Sequence, residues 1–129
     1  MVLIWITLSK ASNCEIYTEA SIAINTNSTT TAPISNGALK YRIEVISGDG
    51  KIYNESADDP TQEPSLTVKN GAITEVGETV LANVSLTTNA TTYKVYLWID
   101  STISAGGYNG KNYSGYLHAN AIQSSDITE

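Results

Sequence analysis

One histidine, one cysteine and thirteen acidic side chains are the material from which this chain could build a catalytic or metal site. His118 lies in the run from Tyr113 to Ala121, where alternation sets it opposite Leu117 and Ala119, on the face of Ser114, Tyr116 and Asn120. A zinc site takes roughly three or four nitrogen, sulfur or carboxylate ligands. Cys14 and His118 supply only two, and no His-Glu-x-x-His pattern is present. Gly-x-Ser-x-Gly is also absent, so a serine triad would rest on His118 alone. Asp58 with Asp59, or Glu75 with Glu78, are nominal carboxylate pairs for glycosidic cleavage, but adjacent Asp residues in an acidic loop are ordinarily just solvated. Asp49, Asp58, Asp59 and Glu63 gather hard oxygens suited to calcium, without the spacing of an EF-hand. Gly106, Gly107 and Gly110 lead into an expected strand rather than a helix, so they do not form a phosphate cradle. The expectation is a non-enzyme without catalytic residues, cofactor or resident metal.

Aromatic side chains are the remaining route to a ligand. There are eight Tyr, two Trp and no Phe. Tyr96 and Trp98 share one face of an expected strand, and Tyr108, Tyr113 and Tyr116 lie in or near the last loop and strand. Exposed rings on a sheet face stack on sugars. The favoured alternative for Trp98 is a plug packed between two sheets. Five Asn-x-Ser/Thr sequons, at Asn27, Asn54, Asn83, Asn89 and Asn112, are candidate glycosylation acceptors if the source glycosylates asparagine.

The elements that must position these groups are strands. Of the 129 residues 41% are hydrophobic and only 16% charged, the balance being Ser, Thr and Asn, which form helices poorly. Length fits one domain able to bury a core without disulfides, and Cys14 has no partner to form one. A net charge of −6 argues against nucleic acid and anionic membrane surfaces as partners. No run is long and apolar enough to span a membrane as a helix. Period-two alternation is clearest over 39–47, where Leu39, Tyr41, Ile43 and Val45 oppose Lys40, Arg42 and Glu44. Further strands are expected over 14–24, 51–55, 65–68, 72–76, 79–86, 93–99 and 113–123, with loops over 25–37, 54–64 and 100–112. Gly48, Asp49 and Gly50 read as a hairpin turn into 51–55, and Asn70 with Gly71 as a second tight turn. Eight or nine short strands imply an all-β fold, a two-sheet antiparallel β-sandwich of jelly-roll or Greek-key type.

The chain opens on an apolar segment, residues 2–8, with Val2, Ile4, Ile6 and Leu8 on one face and Leu3, Trp5 and Thr7 on the other. Three readings fit it. It is a strand of the mature protein, the short apolar region of a secretory signal, or a lipoprotein signal ending at Cys14, whose preceding residues match poorly. The strand reading divides the chain into an N-terminal apolar strand and linker, residues 1–13, and a single sandwich domain, residues 14–129. An unpaired apolar strand is a sticky edge, so it must be covered by its own sandwich or inserted into another. Burying four aliphatic side chains contributes roughly 6–12 kcal/mol against an association cost of about 4–15 kcal/mol, so backbone pairing must supply the surplus.

The strand ending in Trp98, Ile99 and Asp100, followed by Gly110, Lys111, Tyr113, Ser114, Gly115 and Leu117, resembles the C-terminal part of TasA/camelysin-type secreted fibre subunits of Gram-positive bacteria. The resemblance spans about residues 93–123. It implies a jelly-roll subunit, exported and assembled into extracellular fibres in which the N-terminal strand of one copy completes the sheet of the next. The bare apolar start departs from that family's pattern, and no zinc-ligand set supports the protease activity described for some of its members. The functional expectation is therefore a structural subunit at the cell surface or in a biofilm matrix. Copies of itself are the partners, and Val2, Leu3, Ile4, Trp5, Ile6 and Leu8 form the subunit interface. The alternative is a monomeric cell-surface module binding glycans or proteins.

Overall fold

The computed structural model describes residues 2–27, 39–54, 63–73, 77–99 and 115–123. The described strands are β1 (Val2–Leu8), β2 (Tyr17–Thr26), β3 (Leu39–Ser47), β4 (Ile52–Tyr53), β5 (Pro64–Leu66), β6 (Val68–Ile73), β7 (Gly77–Ser85), β8 (Thr91–Ile99) and β9 (Gly115–Gln123). They form two antiparallel sheets, β1-β8-β3-β6 and β5-β4-β7-β2-β9, packed as a β-sandwich. The pairs β1–β8, β2–β7, β3–β6 and β4–β5 are nested inside one another along the chain. This nesting is a long hairpin rolled across two sheets, the jelly-roll arrangement, with β9 added outside β2.

Alternation decides which side chains fill the space between the sheets. Leu39, Tyr41 and Ile43 of β3 meet Tyr93, Val95 and Leu97 of β8 from the first sheet. Ile22 and Ile24 of β2 with Leu81 and Val84 of β7 face them from the second. In β7 the pairing with β2 passes from Ala82 to Val80, leaving Leu81 as an extra residue. The hydroxyl of Tyr41 donates to the Leu81 carbonyl at 2.9 Å, so the irregular backbone of one sheet is satisfied from the other.

Two turns expected from glycine prove to be something else. Gly48, Asp49 and Gly50 do not close a hairpin, because β3 and β4 belong to different sheets. They form a corner between layers. Gly48 holds φ at 93°, and a Cβ there would lie 2.5 Å from the Ala90 carbonyl oxygen, so only glycine fits. Asn70 and Gly71 lie inside β6, opposite Arg42 and Tyr41. A Cβ on Gly71 would meet the Tyr41 ring at 2.6 Å, so this glycine marks a close approach within a sheet. Accordingly β6 runs through the expected turn and ends at Ile73.

Residues 2–8 pair with β8 of the same chain in an uninterrupted register from Val2 opposite Leu97 to Leu8 opposite Thr91. Ile4, Ile6 and Leu8 pack against the core, whereas Val2, on the same face, is 56% exposed at the rim. Three aliphatic side chains rather than four therefore contribute, roughly 4–9 kcal/mol at full burial and less for these half-buried ones.

Candidate functional site: the β1 edge and the outer face of the first sheet

The first feature is the edge itself. Among the described residues β1 has one strand neighbour, β8, and stands at the margin of its sheet. It carries no charge, proline or bulge, the devices that usually protect such a margin. Leu3 and Trp5 point away from the core and are 41% and 55% exposed. Thr7 and Thr92 meet across the pair with hydroxyl oxygens 2.9 Å apart. Beyond Leu8 the chain crosses to the second sheet. Its backbone is held there by the Lys10 amide donating to the Thr87 carbonyl and by a turn in which the Cys14 amide donates to Ala11, both at 2.9 Å.

The second feature follows from the same alternation. With Tyr93, Val95 and Leu97 turned inward, Lys94, Tyr96 and Trp98 must face out. The placement of Trp98 between the sheets is thereby corrected, since Tyr93 is the large fully buried ring on this strand. Arg42 lies directly opposite Tyr96, Glu44 opposite Lys94, and Lys40 opposite Trp98. The Tyr96 hydroxyl donates to Glu44 Oε1. Arg42 pairs with Glu44 Oε2 at 3.3 Å and carries its guanidinium 6.0 Å from the Tyr96 ring centre. Lys94 Nζ sits over two rings, 5.2 Å from the centre of Trp5 and 4.9 Å from that of Tyr96. Among the described residues, Arg42, Glu44, Tyr96 and Trp98 line an open hollow of about 410 Å³.

The residues singled out for other chemistry are scattered. His118 faces outward on β9 as expected, with Nε2 3.7 Å from Glu78 Oε1, Nδ1 3.4 Å from the Asn120 amide, and its ring near the exposed Tyr116. Cys14 is a free, half-buried thiol in the β1–β2 connection. Asp49 accepts hydrogen bonds from Thr87 Oγ1 at 2.7 Å and Asn89 Nδ2 at 3.4 Å, which lower its carboxyl below the ordinary value. Among the described residues no group of three or more His, Cys, Asp or Glu is placed to hold a metal ion. Glu63 is exposed beside β5. Of the sequons, Asn54, Asn83, Asn27 and Asn89 are described, and only Asn89 is exposed. Asp58, Asp59, Glu75, Tyr108, Tyr113 and Asn112 lie outside the described residues.

Sequence reasoning had the two rings of β8 but not Arg42 and Glu44 beside them. The missing information was the pairing of β3 with β8, which no local signal encodes. Comparison with known proteins adds no relative: no family model, curated protein or solved structure matches the chain.

Proposed function

We propose that this protein is a non-enzymatic structural subunit that acts outside the cell and polymerises into surface or matrix filaments by exchanging β1 between copies. The observation that carries the reading is that β1 is at once the first strand of the jelly roll and, among the described residues, an edge strand of its sheet. Withdrawing it removes no other strand from either sheet and leaves a vacant place beside β8, where Ile4, Ile6 and Leu8 had packed against the core. A second copy's β1 fits that place with the same register and the same side chains. Exchange therefore costs little in contacts, as in domain swapping generally.

The connection permits it. Residues 9–16 separate β1 from β2, and eight extended residues reach at most about 29 Å at ~3.3–3.6 Å each. Among the described residues the backbone hydrogen bonds of this segment are a turn from Ala11 to Cys14 and one bond from Lys10 to Thr87. A copy that gives its strand to one neighbour and receives one from another makes a head-to-tail contact, which propagates unless reciprocal exchange or a ring closes it. The resemblance of residues 93–123 to TasA/camelysin-type fibre subunits points the same way, and export follows from that reading.

Size-exclusion chromatography and negative-stain electron microscopy of the full chain and of a chain lacking residues 2–8 test this. The full chain forms filaments. The shortened chain does not, and it takes up a synthetic peptide of residues 2–8 as a soluble monomeric complex. Filaments that persist after the deletion, or a full chain that stays monomeric at every concentration, overturn it.

A further inference from the structure

The hollow on the outer face of the first sheet is independent of strand exchange, and we propose that it is a binding site for an acidic saccharide, a sugar ring bearing a carboxylate. Its floor is made by β3 and β8, central strands that keep their places whether β1 is donated or retained. A volume of about 410 Å³ is within the ~300–1,000 Å³ range of small-molecule sites.

Three observations select the ligand. The first is Trp98, half-buried and lining the hollow, which makes no hydrogen bond or ring contact among the described residues. Its indole face is available to the apolar face of a pyranose, and its N–H to a hydroxyl. The second is the fixed polar group beside it. Glu44 is held by the Tyr96 hydroxyl and by Arg42, so a carboxylate acceptor and a guanidinium donor stand side by side without needing to be ordered on binding. Neighbouring hydroxyls on one ring present that donor and acceptor pattern.

The third observation is charge. On a molecule of net charge −6, the outward positions of β3 and β8 carry Lys40, Arg42 and Lys94 against the single carboxylate Glu44. Arg42 is paired, Lys94 caps aromatic rings, and Lys40, opposite Trp98, has no carboxylate partner among the described residues. A positive excess in an otherwise acidic surface favours an anionic ligand of small size over a neutral one.

Isothermal titration of the full chain with an oligouronate and with a neutral hexose oligomer of equal length tests the assignment. The oligouronate binds, and its affinity falls as salt is raised. The neutral oligomer binds about tenfold more weakly or not at all. Trp98→Ala and Arg42→Gln each weaken oligouronate binding by about tenfold or more, with circular dichroism unchanged, while Tyr116→Ala, on the opposite sheet, leaves it intact. The more exposed Arg42→Gln decides the matter if Trp98→Ala fails to fold. Absence of oligouronate binding, equal binding of the neutral oligomer, or loss with Tyr116→Ala in place of Arg42→Gln overturns the proposal.

Discussion

Tyr93 is the largest side chain fully enclosed in the core, and its hydroxyl finds no hydrogen-bond partner among the described residues. An enclosed, unsatisfied hydroxyl costs on the order of 1–3 kcal/mol. Tyr93→Phe removes that cost at nearly constant volume, so the variant should be as stable as the parent or more so by about 1–2 kcal/mol, read as a urea midpoint at neutral pH. Burial, with the Asp49 charge as a smaller contribution, pushes the phenol up to about 12 from its ordinary 10.0. The folded chain thus holds this proton more tightly than the unfolded one. Its contribution is complete below pH 10 and is lost as pH rises toward 12. The gain from Tyr93→Phe should therefore widen across that alkaline window, and a difference that stays flat between pH 9 and about pH 12 contradicts the assignment.

Strands are where glycine's two uses separate. Gly71→Ala places a methyl against the ring of Tyr41, which is itself anchored to Leu81 in the opposite sheet. Overpacking there should cost about 1–3 kcal/mol in thermal or urea unfolding, and an unchanged midpoint would show that the ring can yield. The same pair explains what the sequence could and could not convey. Alternation located β3 to the residue and most of β8, because half-buried strands print a period of two. It could not say which strands pair, since β4–β5 is the one nested pair made between strands adjacent in the chain. Asn70 and Gly71 carry the residue types of a tight turn, and only the ring across the sheet shows why glycine is there. The two faces of 93–99 were legible too, but not which one is inside. Lys94 on the face of Trp98 was the available clue, for a lysine on that row belongs in water.

For the whole molecule, the sandwich, its two sheets and its acidic, weakly charged composition were readable in outline. The functional surfaces were not, because each depends on long-range register. β1 was legible as an apolar strand, and its place beside β8 became clear only with the fold. The central claim is that this strand leaves its own sheet to enter a neighbour's. A covalent lock between β1 and β8 tests it most directly, and the contact of Thr7 with Thr92 supplies the position. In a Cys14→Ser background, the double change Thr7→Cys with Thr92→Cys places two thiols across the pair on the solvent side, leaving the core untouched. Filament mass is then followed by light scattering and electron microscopy, oxidised and reduced. The account predicts that a chain locked by its intramolecular disulfide stays monomeric and assembles once reductant frees the strand. Equal assembly of the locked and the released protein would contradict it.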